Sequence, residues 1–463
     1  MGEISSKAIT PFVFVVLARL LTPEDFGVVV AATMVITFSQ SIWEAGMGKA
    51  IIQFEGDRDT IANTAFWINI ALAVLVAGLI VVSSSPIAEY IFHDSRVSAV
   101  LKIMAIQVLL SASVSIHTAL LQKDMNFRHL FWVRLATVAV PGLTSIPLAW
   151  YGMGYWSFVA GTLVGQILQV SILWKTSPWQ PRINFDLVIA KKLLGFGGWI
   201  TVTALLVWFY MWADSFIVGI YLGSNELGLY RIGNAFVIMI YGLLFGPLIP
   251  VLYTHLTSTS QDLVRIQAVM LKVVRILIFV SLPLAAIISA NADLIGGLVF
   301  GPRWQGVGLV ISIMALTHGV SWVITANGEA YRALGNPSVE TKVMAFSMLF
   351  YLVGYLVSIQ QSFEVFLWTR FGLAVLSTCI HFWVMKSVLK MQIKPILANM
   401  LTVSLICVIP IVVVSQFDFA GLAYGPVLKA FLIVMLIAIA LAVYEKKRLI
   451  PQIFRIVVKA IKH

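Results

Sequence analysis

Windows of roughly 20 apolar residues recur along this whole chain, each long enough to cross a hydrocarbon layer about 30 Å thick. Short polar connections separate them. Of the 463 residues, 60% are hydrophobic and 11% charged. A soluble domain is about a quarter charged, so this chain cannot clothe one core in a solvated surface. It reads as an all-α polytopic membrane protein of about 14 spans, near 4–21, 26–47, 62–83, 97–119, 129–150, 155–174, 196–221, 227–253, 273–290, 305–327, 342–358, 364–385, 395–414 and 424–443. The first is the weakest, being short and carrying Lys7, Thr10 and Pro11. Cys379 and Cys407 both lie in apolar runs, which leaves neither a disulfide framework nor a metal site. No cleavable signal peptide is expected, because the first segment runs directly into a turn and the second span.

That turn is Thr22-Pro-Glu-Asp-Phe-Gly27. Pro23 cannot continue a helix and pushes Thr22 towards an extended shape, while Thr-Pro-Glu-Asp suits the start of a new helix. Glu24 and Asp25 are therefore expected to cap span two rather than to bind substrate.

Charge orients the spans. Most of the 31 basic residues fall in alternate connections and the tail: Lys49 and Arg58, Lys123 and Arg128, Lys175 to Lys192, Arg265 and Lys272, Arg332 and Lys342, Lys386 to Lys394, then Lys446 onward. The opposite connections hold few. This alternation places both termini in the cytoplasm. The net charge of +11 is then topology, with no nucleic-acid partner implied. The tail alternates basic and apolar residues at helical spacing and is expected to lie on the anionic inner leaflet.

The chain also reads as a duplication. Placing Gly228 over Gly27 aligns Gly223-Ser-Asn-Glu-Leu-Gly228 with the first turn. Ile91-Phe-His-Asp-Ser-Arg96 echoes Val299-Phe-Gly-Pro-Arg303, and the inner connections at Leu121 and Tyr331 follow in the same order. Six spans per repeat make the repeats parallel, with a substrate cleft expected between them. The expected divisions are an N-terminal six-helix bundle at 1–175, a cytoplasmic linker at 176–195, a second six-helix bundle at 196–390, two extra transmembrane helices at 391–445 and a basic amphipathic tail at 446–463.

Ala18-Arg-Leu-Leu-Thr-Pro-Glu-Asp-Phe-Gly27, Ala50-Ile-Ile-Gln53, Leu120-Leu-Gln-Lys-Asp-Met-Asn-Phe-Arg128, Ala213-Asp-Ser-Phe-Ile-Val-Gly219, Leu227-Gly-Leu-Tyr230 and Gly335-Asn-Pro-Ser338 resemble the bacterial polysaccharide transporter family. That family holds the Wzx-type lipid-linked oligosaccharide flippases of the multidrug/oligosaccharidyl-lipid/polysaccharide (MOP, MATE-like) superfamily. The resemblance implies two bundles forming a V around a central cavity. It also implies a substrate, a sugar unit on undecaprenyl pyrophosphate moved from the inner to the outer leaflet of the bacterial inner membrane for O-antigen, capsule or exopolysaccharide assembly. Membrane lipids, a polysaccharide polymerase and chain-length proteins are its implied partners. This chain departs from the family in its abbreviated N-terminus and in the few basic residues deep in the first bundle.

Charges at membrane depth cost about 2.5–3.5 kcal/mol each on insertion scales, so each needs a partner, a cavity or an exit. Asp214 lies roughly 12 Å below the outer turn at about 1.5 Å per residue. It shares a helix face with Thr203, Tyr210 and Tyr221 and is expected to line a wet cavity, or else to be a hydrogen-bonded acid between bundles. Arg231, with Asn234 on the same face, and more weakly Arg370 are candidate substrate-cavity residues with Tyr210 and Asp214, although both arginines stand near outer ends and can snorkel. Lys7 is either an interfacial partner of Glu3 or, as the resemblance implies, a cavity cation for the pyrophosphate. His318 is near the midplane, as a packing residue or, with Asp214, as a site of H⁺ or Na⁺ coupling. Glu44, Lys49, Glu329 and Arg332 sit near inner helix ends, as a cytoplasmic gate or simply as solvated termini.

Two rival functions remain. A drug/cation antiporter of the same superfamily would use deep acids, of which Asp214 is the best. A membrane enzyme such as a polymerase or ligase needs a large outer loop, and no connection here is long enough. No cofactor is expected beyond a coupling H⁺ or Na⁺.

Overall fold

In a computed structural model of the chain, the described residues are 2–44, 46–258, 262–419, 422 and 424–444, with side chains from residue 11 onward. All the regular structure among them is helical. The helices of the first part are α1 (Gly2–Leu20), α2 (Pro23–Trp43), α3 (Met47–Gln53), α4 (Arg58–Pro86, ending in a π turn, Ile87–Ile91), α5 (Arg96–Lys123), α6 (Phe127–Trp150), α7 (Trp156–Thr176) and α8 (Leu187–Leu222). There follow α9 (Ser224–Phe245), α10 (Leu248–Ser258), α11 (Leu263–Ala290), α12 (Ala292–Val299), α13 (Val307–Trp322), α14 (Asn327–Ala333), α15 (Ser338–Ser358), α16 (Phe363–Val388), α17 (Lys394–Ser415) and α18 (Gly425–Tyr444). Among the described residues, thirteen helical runs are long and apolar enough to cross a membrane, α2 with α3 and α13 with α14 each counting as one run. The expected fourteenth, α1, has a shorter apolar stretch, Pro11–Leu20, so the count of 14 is approximate. The protein is a multi-pass helical membrane protein. Its tail, 446–463, lies outside the described residues.

Helix contacts divide the chain into two compact units, Met1–Arg231 and Ile232–His463. In the first, α4 packs on α5, α6 on α7, α1 on α6, and α2 on both α5 and α8. In the second, α11 packs on α13 and α17, α13 on α16, and α15 on α16.

Three expected spans are broken. The run 26–47 ends at Trp43 and resumes at Met47 as α3, while 227–253 is interrupted at Gly246 and Pro247 before α10. Pro247 has no N–H to give and disfavours helix at Gly246. At the first break Gly46 adopts a left-handed φ of 66°, and a Cβ there would meet Ile200 of α8 at 2.7 Å. Only glycine satisfies both demands. The alignment that sets Gly228 over Gly27 also sets Leu248, the first residue of α10, over Met47, the first residue of α3. The echo between the turns at Gly27 and Gly228 thus extends to the helix breaks. Likewise the expected span 305–327 stops at Trp322, and residues 323–326 turn before α14.

The segment 176–195 is not wholly a linker, because α8 begins at Leu187. Asp186 caps it, accepting from the amides of Val188 at 2.7 Å and Ile189 at 3.0 Å. The residues before it are fastened to α4. The Arg182 amide donates to Asn63 Oδ1 at 2.8 Å, Trp67 Nε1 to the Arg182 carbonyl at 2.9 Å, and the Asp186 amide to Thr64 Oγ1 at 3.2 Å. These bonds satisfy irregular backbone that has no ladder of its own.

Candidate functional site

The turn at Thr22–Gly27 caps α2 through only one of its acids, Asp25, and the two acids are separated in role. Thr22 and Asp25 form a capping box on α2, the Asp25 amide donating to Thr22 Oγ1 at 3.2 Å and the Thr22 amide to Asp25 Oδ2 at 3.1 Å. Asp25 Oδ1 also accepts from the Tyr155 amide at 3.1 Å, which pins the α6–α7 turn. Glu24 is not a cap. It accepts from Arg96 at 3.2 Å. Arg96 grips Asp94 through Nε at 2.9 Å and Nη2 at 2.8 Å, and Asp94 accepts from Ser224 Oγ at 2.7 Å. Burial by itself raises the pKa of Asp94, but the hydrogen bonds from Arg96 and Ser224 outweigh it and hold the carboxyl below its usual 3.8. Beneath this network the starts of α2 and α9 cross at their glycines. A Cβ on Gly27 would lie 1.7 Å from the Ser224 carbonyl oxygen, and one on Gly228 would lie 1.8 Å from that of Pro23.

Deeper in the first unit, α8 forms one wall of a groove of about 800 Å³ whose other wall comes from α2 and α3. Trp199, Thr203, Trp208 and Trp212 line it along α8, with Ser41 and Lys49 opposite. From Trp199 to Trp212 the helix rises about 20 Å. Trp199 is 79% exposed, whereas Trp208 is fixed, its Nε1 donating to Thr37 Oγ1 at 3.1 Å and its ring set edge-on to Phe38. Lys49 is the groove's one charged lining residue, and among the described residues no carboxylate pairs with it. It stands on α3, whose last carbonyls receive Lys123 Nζ, at 2.6 Å from the Ile51 oxygen and 3.0 Å from that of Phe54. A cation at a helix C-terminus suits the dipole, so α3 and its lysine are held in place.

At the far end the Arg231 guanidinium lies over the Trp212 ring, 4.1 Å from its centroid, and Nη1 donates to Ser215 Oγ at 3.3 Å. Asp214 is 7% exposed and accepts from Tyr230 Oη at 2.7 Å and from the Ser215 amide at 2.6 Å. It is thus a buried, bonded acid rather than part of a wet stripe. Tyr210, one turn earlier, is 50% exposed. The stripe expected from spacing parts here because Tyr230, on the next helix, draws Asp214 inward.

The other expected residues fall elsewhere. Asn234 is buried, and its Oδ1 lies 2.9 Å from His318 Nε2. Tyr241 and Trp322 stack beside that pair, their rings 6.1 Å apart. Arg370 Nη1 donates to Tyr355 Oη at 3.3 Å. The four expected gate residues belong to separate units. Glu44 accepts from Gln40 at 3.3 Å, whereas Arg332 binds Glu329 and also, at 2.7 Å, Glu340. Lys7 and Glu3 lie on α1, but their side chains are outside the described residues. Sequence reasoning singled out Lys49 and missed the tryptophans and Ser41 beside it. Among the described residues no group of acidic, histidine and cysteine side chains is placed to hold a metal ion.

Residues 16–308, more than half of the chain, match a family described as polysaccharide biosynthesis protein. Among named relatives, the succinoglycan biosynthesis transport protein ExoT of Rhizobium meliloti is 25% identical over 307 residues, 66% of this chain and 62% of that protein. The match therefore spans less than two thirds of that relative. The lipopolysaccharide biosynthesis protein WzxC of Escherichia coli is 19% identical over 83% of this chain and 77% of its own length. Among solved structures, the lipid II flippase MurJ in an inward closed conformation superposes with a TM-score of 0.78 at 14% identity, over 96% of this chain and 98% of its own. An inward-facing MATE family multidrug transporter of the MOP superfamily gives 0.60 at 12% identity, over 83% and 95%. At such identities the likeness is one of fold, which is MOP-like. The chain belongs to the polysaccharide biosynthesis protein family.

Proposed function

We propose that this protein is a carrier, not an enzyme, and that it moves a lipid-linked oligosaccharide from the inner to the outer leaflet of the bacterial inner membrane. The substrate class is a sugar unit on undecaprenyl pyrophosphate, destined for O-antigen, capsule or exopolysaccharide. Both termini are cytoplasmic in this reading, 1–175 and 196–390 are the repeats, and 391–445 adds two helices. A polymerase and chain-length proteins would take over the product outside.

The groove along α8 carries the proposal. An uncompensated phosphate anion is prohibitively costly in hydrocarbon. Lys49 supplies one fixed cation at the end of the groove that positive-inside charge assigns to the cytoplasm. A lysine is a compact point charge without the bidentate grip of arginine, which suits a head group that must be let go. The tryptophan faces offer broad apolar surface with an N–H at the edge, suited to the flat faces of sugar rings. The names of ExoT and WzxC, and the MurJ-like fold, support the same class. An antiporter reading is the weaker one, since Asp214 is already held by Tyr230 and Ser215.

The test is complementation of a strain lacking the gene. The wild-type chain should restore surface polysaccharide, and Lys49→Glu should not, at equal protein level in the membrane. Normal surface polysaccharide in the deletion strain would overturn the function. Full export by Lys49→Glu would remove the groove from the pathway.

A further inference from the structure

The hairpin of α15 and α16 turns apolar side chains outward along its length, among them Phe346, Leu349, Val353 and Trp383. Where α15 starts and α16 ends, the two helices leave a crevice of about 660 Å³ lined by Val339, Val343, Phe346, Ile380, Trp383 and Val384. Lys342 is its one charged lining residue. The hairpin is antiparallel, so Lys386 near the end of α16 and Lys390 just beyond it stand at the same end as Lys342. The nearest acid in sequence, Glu340, is taken by Arg332 at 2.7 Å. Among the described residues Lys342 has no carboxylate partner.

We propose that this crevice is a binding site for an anionic phospholipid, with one acyl chain between Phe346 and Trp383 and the phosphate against Lys342. A crevice cut into two helices long and apolar enough to span a membrane is open to lipid along its apolar length. Its charge selects among lipids, because an unbalanced lysine at the edge of an apolar slot favours a net-negative head over a zwitterionic one. Amphipathic lysine stems serve this purpose well, lying along apolar surface while the ammonium stays at the interface. The site is separate from the α8 groove, and its occupancy can be measured without any transport assay.

Cys379 lines the same crevice and is exposed, while Cys407 is buried. The full chain carrying Cys407→Ser leaves Cys379 as the sole thiol. Its reaction with neutral N-ethylmaleimide can be followed by intact mass in nanodiscs of phosphatidylcholine alone or of phosphatidylcholine with phosphatidylglycerol. Phosphatidylglycerol should slow the reaction several-fold. Lys342→Glu and the milder Lys342→Met should abolish the slowing, whereas Lys175→Glu, on α7, should leave it intact. Equal rates in the two lipids, or slowing that survives both Lys342 variants, would overturn the proposal. Two Lys342 variants are used so that one that misfolds does not decide the result.

Discussion

Replacing Gly228 with alanine tests the glycine crossing where α2 and α9 begin. The added Cβ would stand 1.8 Å from the Pro23 carbonyl oxygen. A carbon rests against a carbonyl oxygen at about 3.3 Å, so α2 and α9 must part by about 1.5 Å. The obstacle is backbone on both sides, and no side chain can rotate away. Overpacking of this kind costs about 1–3 kcal/mol, and each 0.5–1 Å of separation forfeits about a quarter to a half of the dispersion between the surfaces that move apart. Alanine returns up to about 1 kcal/mol of helix propensity. The net loss expected is about 2 kcal/mol, or about 4–8 °C in Tm for a unit of this size. The assay is the temperature at which the detergent-solubilised chain leaves its monodisperse peak. Gly78→Ala is the control, since nothing lies within 4 Å of its Cβ. A Gly228→Ala chain that melts with the Gly78→Ala control would refute the crossing. Because Gly27→Ala opens the same gap, the double variant should cost less than the sum of the singles.

Asp94→Asn should release Ser224 and weaken the grip of Arg96, lowering Tm at neutral pH. In the wild type the folded carboxyl titrates below its ordinary 3.8, so its stabilisation is complete above that value and is lost as pH falls through the lower folded pKa. The two proteins should therefore converge in Tm on acidification, and a gap that stays constant with pH would count against the network. Lys123→Met should free the end of α3 and reduce export more than it reduces protein level; unchanged export would show that α3 is held by other contacts. His318→Gln keeps a donor for Asn234 and should retain most export. Loss of export at normal abundance would instead mark His318 protonation as part of the cycle.

Span existence was legible because hydropathy is a sum over twenty residues and survives local irregularity. For the same reason the helix breaks were not. Leu244-Phe-Gly-Pro-Leu-Ile249 stays apolar through Gly246 and Pro247, so a hydropathy window passes over the interruption. The capping at Thr22 and Asp25 could be read because a capping box is local, spanning four consecutive residues. The partners of Asp214 could not, since Tyr230 comes from the next helix and spacing along α8 is blind to it. Trp199, Trp208 and Trp212 escaped notice because tryptophans recur all round α8, and the polar positions Thr203, Tyr210 and Asp214 drew the reading instead.

The fastening of residues 182–186 to α4 has a practical consequence for chimeras. A non-helical stretch between spans looks like a free joint at which halves of two relatives could be spliced. Here the joint is sewn to Asn63, Thr64 and Trp67. A splice between α7 and α8 would bring in a foreign strand facing the original Asn63, Thr64 and Trp67, stranding polar groups on both. Productive exchange of α8, with the groove it walls, therefore requires α4 to travel with it. The unit of exchange is then a block of α4, the 182–186 segment and α8, not α8 alone.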